Sequence, residues 1–165
     1  MTTTPHDQLV AYLTDGGVPF RMTEHGAEGR SEEIAKIRGA LASQGMKAII
    51  VGLRGGGQGK EKRYVMAVLP GDRKLDMKAL RKVFGAQKSS FADPDTATTL
   101  TGCVMGAIPP FPLLTEMPLV VDPSVRQNVE VCFNAGCLER SIFMSIDDYF
   151  RIASPQEAAI SAPPE

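Results

Sequence analysis

Lys47 is the first residue in this sequence whose type and position suggest chemistry. It lies near the start of an otherwise apolar and partly β-branched run, residues 46–53, which predicts a buried strand. A lysine there can lay its stem along apolar surface and keep its ammonium in water. It can also point a cation into a cleft, where it would bind a phosphate or stabilise an oxyanion. Both interpretations stay open at this point.

A second candidate is the segment of residues 102–112, which contains two glycines and three prolines. This composition excludes a regular helix or a central strand, so we predict a loop of fixed shape. Such a backbone could present N–H and C=O groups to a ligand. A rigid surface loop without a function explains the same composition. We call it the glycine–proline loop; its candidate site residues are Gly102, Gly106, Ala107, Ile108 and Pro109.

Two further candidates are polar residues in predicted connections. Asn134, Ala135 and Gly136 are typical of a hairpin turn, although the Asn134 amide could instead contact a substrate. His25 follows a predicted strand, and a lone histidine there is either structural or a substrate contact.

The cysteines and histidines do not form a metal-binding pattern. Three scattered cysteines and two distant histidines lack the spacing of zinc ligands, so we predict no metal. Cys103 lies in the glycine–proline loop and is an alternative nucleophile, but the sequence names no group that would activate it. Residues 55–60 superficially resemble a phosphate-binding loop. Their spacing differs and they join two predicted strands, so we interpret them as a hairpin tip.

These candidates need a framework of helices and strands. Helices are predicted to begin near Thr4, Ser31, Asp76, Asp93 or Asp95, and Ser145, each of which can cap a helix. Strands are predicted over residues 18–23, 46–53, 64–69, 119–122, 129–133 and 140–145. The order lacks strict βαβ alternation. We therefore predict one α+β domain over residues 1–154, with a mixed, mostly antiparallel and curled sheet flanked by helices. The Ala/Pro/Ser-rich residues 155–165 are predicted to be a disordered tail.

The overall composition limits the function classes. A chain of 165 residues suits one domain with its own core. Its formal net charge of -1 argues against a protein that wraps DNA or RNA, but it permits contact with one end of an RNA. The start of the chain has no signal-peptide pattern and no apolar run reaches ~20 residues, so we expect no membrane association. With an odd cysteine count, this favours the reducing cytoplasm.

Several segments, taken in order, resemble the YbaK/prolyl-tRNA-synthetase-associated editing domain family. They are His25 followed by residues 31–35, then 45–51, 68–72, 75–80, 100–111, 120–122 and 133–136. The resemblance covers about residues 20–153. It implies a sheet curled around a pocket and the hydrolysis, in trans, of the ester that joins a wrong amino acid to the terminal adenosine of tRNA. It implies no cofactor.

The resemblance also assigns residues. Lys47 corresponds to the family's strand lysine, and residues 102–110 correspond to its glycine-containing loop. Many members read G-x-x-P-G where this chain has Pro110 in place of the second glycine, which alters the expected pocket shape. The sequence of residues 101–111, together with 133–136, is closer to the YeaK-like branch than to the Cys-tRNA(Pro) deacylase branch, and this resemblance implies a small amino acid such as Ala, Ser or Thr.

The resemblance implies catalytic roles for four residues. Lys47 is expected to hold the terminal phosphate or steady the oxyanion. The backbone of Gly106 and Ala107 is expected to grip the α-amino group and the carbonyl, and Asn134 to orient the ester. The expected substrate-binding residues are His25, Gly102, Ile108, Pro109, Ala135 and Gly136.

No protein base is evident, so the ribose hydroxyl is expected to activate the attacking water. The expected partner is the acceptor end of an aminoacyl-tRNA, with a tRNA synthetase as a second candidate partner, and neither DNA nor a membrane. The rival interpretation is a module that binds aminoacyl-tRNA or a synthetase without hydrolysis.

Overall fold

The computed structural model describes residues 3–56 and 61–163, and within them five α-helices. The helices are α1 Pro5–Asp15, α2 Ser31–Arg38, α3 Met77–Phe84, α4 Pro94–Thr101 and α5 Ile146–Ala153. The strands are β1 Phe20–Glu24, β2 Met46–Arg54, β3 Arg63–Pro70, β4 Lys74–Leu75, β5 Lys88–Phe91, β6 Leu119–Val121, β7 Glu130–Asn134, β8 Arg140–Ser145, β9 Gln156–Glu157 and β10 Ser161–Ala162. Residues 102–112 contain no regular element, as predicted from their glycines and prolines.

The strands form three sheets. The largest has the order β5-β2-β3-β6-β9, in which β2 pairs antiparallel with both β3 and β5, while β3–β6 and β6–β9 are parallel. An antiparallel sheet has the order β1-β8-β7, and β10 pairs antiparallel with β4. The mixed α+β architecture predicted from the sequence is confirmed.

The β2–β3 hairpin forms the centre of the fold, and its side chains are buried on both faces. Ile50, Met66 and Val68 pack into one apolar cluster, whereas Val51 and Val65 pack into a second. Burial on both faces explains why the sequence of each strand is a continuous apolar run and not an alternating one. The predicted hairpin tip lies in part outside the described residues.

Short polar side chains begin most of the helices. The side chains of Thr4, Asp76, Asp93 and Ser145 accept hydrogen bonds from backbone N–H groups in the first turns of α1, α3, α4 and α5. α2 begins at Ser31, as predicted, but the predicted capping role is wrong, because Ser31 is already helical and Arg30 occupies the cap position without a side-chain bond.

The C-terminal segment differs from its prediction. Residues 156–157 and 161–162 pair with the sheets, and Ile160 between them is fully buried. The Ile160 N–H donates a 2.9 Å hydrogen bond to the Asp122 carboxylate. The predicted disorder is therefore wrong for residues 155–163, because one apolar side chain and two short ladders fix a segment whose composition is otherwise that of a linker.

None of the helices in the described part of the chain is long and apolar enough to cross a membrane.

Candidate active site

A cleft lies beside the point where the two larger sheets meet. A parallel bridge joins the sheets between Gly45, just before β2, and Cys132 in β7. The cleft has a volume of about 60 Å³. Its walls come from the start of α2, the start of β2, the glycine–proline loop and the end of β7, through Gly29, Ser31, Ile34, Arg38, Ala42, Gly45, Met46, Lys47, Ala48, Gly71, Gly106, Ile108 and Asn134.

Lys47 lies in the wall of this cleft. Its side chain is half-buried, and its Nζ donates a 3.3 Å hydrogen bond to the Gly71 carbonyl. Burial lowers the pKa of Lys47, and the nearby Asp72 carboxylate opposes this effect. The structure thus brings Lys47 and the glycine–proline loop to one cleft, as the sequence predicted.

Asn134 connects three parts of the site. Its Oδ1 accepts a 2.9 Å hydrogen bond from Arg38, and its Nδ2 donates to the carbonyls of Glu28 at 2.9 Å and Gly106 at 2.8 Å. A guanidinium can only donate and a carbonyl can only accept, so these partners fix the orientation of the amide. Because both ends of the amide are engaged, Asn134 is built to hold Gly106 and the cleft wall in place.

Arg38 is a cleft residue that the sequence reasoning missed. It donates hydrogen bonds to Ser141 Oγ at 2.8 Å and to Asn134 Oδ1 at 2.9 Å, and its Nη1 lies 3.6 Å from Cys132 Sγ. No carboxylate of residues 3–56 or 61–163 forms an ion pair with it. Burial lowers the pKa of Arg38, but a guanidinium remains charged at neutral pH. The cleft therefore contains an uncompensated positive charge.

The sequence does carry a signal for Arg38. It lies four positions after Ile34 and so occupies the same helical face, and Ile34 is almost completely buried. A charged residue on the buried face of a helix is unusual, so it is a candidate functional residue.

His25 and Ser141 have the spacing of a base and a nucleophile, but their location argues against that role. His25 Nε2 lies 2.8 Å from Ser141 Oγ, and His25 Nδ1 lies 2.8 Å from the Gly26 carbonyl, which can only accept. Nε2 of the neutral ring is therefore the acceptor from Ser141. Ser141 is completely buried and neither residue lines the cleft, so the pair supports Arg38 from behind.

The backbone conformation at position 106 requires a glycine. Its φ is +87°, and a Cβ at this position would lie 2.8 Å from the Cα of Gly29. Only glycine avoids both the left-handed strain and this contact. None of the described residues accepts a hydrogen bond from the N–H of Gly106 or of Ile108.

Ala107 does not reach the cleft. It is fully buried, its N–H donates to Val104, and its C=O accepts from Gly136 at 3.1 Å. Both backbone groups are thus occupied, which corrects the expectation that Ala107 grips the substrate. The N–H groups of its two neighbours, Gly106 and Ile108, are the ones without an acceptor among the described residues.

The remaining predicted substrate contacts lie away from the cleft and have structural roles. Gly102 ends α4 with φ +76°, and Pro109 lines a separate small cavity. The Ala135 carbonyl lies 2.8 Å from Nδ1 of His6, and Gly136 packs its backbone against His6.

A sequence model of a known family covers all of these segments. The model of the aminoacyl-tRNA editing domain matches residues 25–152, which include every wall of the cleft. The chain belongs to the aminoacyl-tRNA editing domain family. The family resemblance predicted from the sequence is thereby confirmed.

Relatives of this editing domain include two curated proteins of Escherichia coli, from strains K12 and O157:H7. Each is 38% identical over 152 residues, which is 92% of this chain and 89% of the relative. Both are named multifunctional Ser/Thr-tRNA deacylase ProXp-y.

Solved structures share the fold of this editing domain at lower identity. The crystal structure of a proposed trans-editing enzyme for prolyl tRNA synthetase has a TM-score of 0.81 at 20% identity, covering 98% of this chain and 99% of that one. A hypothetical protein has a TM-score of 0.83 at 21% identity, covering 94% and 99%.

The alternative nucleophile of this editing domain, the Cys103 thiol, does not line the cleft. Cys103 is buried, its Sγ donates a 3.5 Å hydrogen bond to the Thr101 carbonyl, and burial raises the pKa of the thiol. A nucleophilic cysteine needs the opposite environment. Over residues 3–56 and 61–163, no group of three or more His, Cys, Asp or Glu side chains is arranged to hold a metal ion.

Proposed function

We propose that this editing domain is a trans-editing aminoacyl-tRNA deacylase. It hydrolyses the ester between a wrongly attached small amino acid, Ala, Ser or Thr, and the terminal adenosine of a tRNA. The observation that carries this proposal is the 38% identity, over 92% of the chain, to proteins named Ser/Thr-tRNA deacylases. The cleft supports it, since its lining residues include the cations Arg38 and Lys47 and the loop residues Gly106 and Ile108.

The reaction requires little from the protein beyond position and charge. Water adds to the ester carbonyl, the bond to the ribose oxygen breaks, and a free amino acid and a tRNA hydroxyl are released. An aminoacyl ester is already activated, so stabilising the developing oxyanion and orienting the ester supply most of the acceleration. Lys47 and the N–H groups of Gly106 and Ile108 stabilise the oxyanion, or Lys47 holds the terminal phosphate. Arg38 adds positive charge and holds Asn134.

The attacking water is activated by the substrate. No Asp, Glu or His is among the described residues that line the cleft. The neighbouring ribose hydroxyl can accept the proton of the water and pass its own proton to the departing oxygen.

The size of the cleft selects the amino acid. About 60 Å³ accommodates a side chain of few heavy atoms, and Ile34 and Ile108 are rigid apolar walls. A single methylene changes binding by only ~1–3 kcal/mol, so selectivity depends on excluding larger side chains by size. The Ser31 side chain at the cleft suits a substrate hydroxyl.

The formal net charge of -1 fits a protein that contacts only the acceptor end of tRNA. The proposal places this activity in the cytoplasm, where charged tRNAs are used, and includes a tRNA synthetase as a candidate partner.

A deacylation panel tests the proposal. The purified chain is incubated with tRNAs charged with radiolabelled Ala, Ser, Thr or Cys, and the ester remaining is followed over time. We expect faster loss of Ser, Thr or Ala than without protein. Tight binding of charged tRNA without any faster ester loss would replace the enzyme with the binding-module alternative.

A further inference from the structure

A second cavity adjoins the cleft. It has a volume of about 250 Å³, and all its lining residues are apolar or glycine. We call it the apolar cavity; Ala48, Gly106 and Ile108 line both it and the cleft. The proposed reaction leaves this space without a role. It is close to the lower end of the ~300–1,000 Å³ of ligand pockets, which suits a group the size of a nucleobase.

The edge of β2 is open beside this cavity. On this side β5 pairs only with residues 51–54, and the last bond between them joins the Ala92 N–H to the Ile50 carbonyl at 2.9 Å. The isolated bridge from β7 lies at Gly45, just before β2 begins. No described strand therefore pairs with this edge of β2 at Ala48, and Ala48 remains partly exposed.

The hydrogen bonds of β3 show which way the Ala48 peptide groups face. The Met66 N–H donates to Pro118, and the Val68 carbonyl accepts from Asp122, so both residues direct their backbone groups away from β2. Directly opposite residues of an antiparallel pair share this pattern. Ala48 lies opposite Val68, and its N–H and C=O therefore face the open edge.

We propose that the apolar cavity binds the adenine of the tRNA terminal adenosine and that the Ala48 backbone reads it. This inference rests on the proposed function. Adenine carries an acceptor, N1, beside a donor, the N6 amino group. A strand residue presents the complementary pair, an N–H and a C=O, on the same edge. Guanine carries a donor at N1 and an acceptor at O6 and is therefore mismatched on both groups.

The surroundings of the Ala48 edge suit a planar base. Met105 and Phe91 are 53% and 61% exposed at the rim, and Ala97 and Ile108 form buried parts of the wall. Apolar and aromatic surfaces bind the faces of a base, while the edge hydrogen bonds distinguish one base from another. Because both cavities share Gly106, an adenosine held here directs its ribose ester to Gly106 and into the cleft.

The decisive experiment changes the base and leaves the ester unchanged. Three seryl-minihelices end in adenosine, in purine riboside, which lacks the amino group, or in inosine, which has an N1 donor and an O6 acceptor. Hydrolysis of the adenosine form tests the proposed function by itself. A well-placed pair of hydrogen bonds to a base discriminates by ~1–3 kcal/mol. We expect kcat/KM to fall about 5- to 150-fold for inosine, with purine riboside between the two. Equal values for all three would overturn the adenine site and leave the deacylase intact.

A matched pair of variants locates the effect. Met105→Ala removes a rim residue of the apolar cavity, whereas Val104→Ala changes an equally exposed neighbour, at 54%, outside its lining. Met105→Ala is expected to raise KM for the adenosine minihelix, and Val104→Ala to leave it unchanged. Unchanged KM in Met105→Ala, with an unchanged thermal midpoint, contradicts the assignment.

A binding experiment separates the two sources of adenine. Shifts of the Ala48 amide signal are followed by NMR with AMP, with IMP and with an oligonucleotide that ends in CCA. We expect the oligonucleotide and AMP to shift the signal and IMP to leave it unchanged. A shift with AMP alone would assign the cavity to a free nucleotide and overturn the tRNA role.

Discussion

Arg38 Nη2 donates a 2.9 Å hydrogen bond to Asn134 Oδ1, and the Nδ2 of the same amide holds the Gly106 carbonyl at 2.8 Å. One partly buried cation on α2 therefore orients an amide on β7, and that amide fixes the glycine of the glycine–proline loop. The relationship explains why a residue without chemistry of its own, Asn134, lies at the centre of the site.

The first prediction concerns this coupling. Arg38→Met leaves the Asn134 acceptor without its charged donor, and we expect a loss of ~1–3 kcal/mol in the free energy of unfolding, because a buried polar group loses its partner. Deacylation should fall through kcat more than through KM, because the loop is misplaced and not removed.

A double-mutant cycle with Asn134→Ala checks it, with denaturant unfolding and deacylation as the two measurements. Residues in one hydrogen-bond network couple by ~0.5–3 kcal/mol. Strictly additive effects would show that Arg38 does not act through Asn134.

The second prediction concerns Lys47 and pH. Burial lowers the pKa of Lys47, so its positive charge, and with it deacylation, should be lost at a lower pH than for an exposed lysine, whose pKa is ~10.4. The folded chain binds this proton less tightly than the unfolded chain. The free energy of unfolding therefore rises as pH climbs from the lowered pKa to the ordinary one.

Pre-steady-state deacylation rates are measured over a range of pH and corrected for spontaneous ester hydrolysis. They give the basic limb of the pH–rate profile, where activity is lost as pH rises. In Lys47→Arg the limb should disappear, since the guanidinium keeps its charge. Lys47→Ala should reduce kcat by ~10²–10³-fold, and the exposed Lys82→Ala serves as the control. A limb that persists unchanged in Lys47→Arg belongs to another group.

The third prediction concerns Gly106. Gly106→Ala forces a side chain into the left-handed region and against Gly29, and we expect a loss of ~1–3 kcal/mol of stability together with lower deacylation. Gly26→Ala is the matched control, because φ is not positive there and a Cβ would meet nothing within 4 Å. Thermal unfolding compares them, and equal midpoints would mean that the close approach to Gly29 is not required.

The fourth prediction separates the thiol alternative from the proposed chemistry. Cys103→Ala should retain wild-type kcat, because the thiol is buried outside the cleft with a raised pKa. Single-turnover deacylation measures it. A loss of activity in Cys103→Ala at unchanged stability would restore the cysteine hydrolase.

The fifth prediction concerns the C-terminal segment. Ile160→Ala empties a fully buried site and should lower the free energy of unfolding by ~2–5 kcal/mol. Val129→Ala, at a side chain that is 85% exposed, should change it by less than ~0.5 kcal/mol. Urea unfolding checks both, and equal midpoints would mean that the segment detaches without cost.

The sequence by itself determined much of this protein. Continuous apolar runs predicted β2 and β3, short polar residues predicted the five helix starts and four of their caps, and glycines with prolines predicted the irregular loop. The family followed from the order of these segments. Such features are local, since each depends on periodicity, capping or backbone sterics within a few residues, and local patterns can be read without coordinates.

Only the tertiary structure decided which residues share the cleft. It selected Lys47, Gly106, Ile108 and Asn134 from the predicted set and added Arg38, while Ala107 and His25 are held behind the wall. It also ordered β5 and the C-terminal segment, whose polar or small residues give no strong strand signal. These outcomes depend on contacts between residues far apart in the chain, such as the 2.9 Å bond from Arg38 to Asn134. No local sequence pattern shows which distant residue will bind a charged side chain or pair with a strand edge, because only tertiary packing brings such residues together.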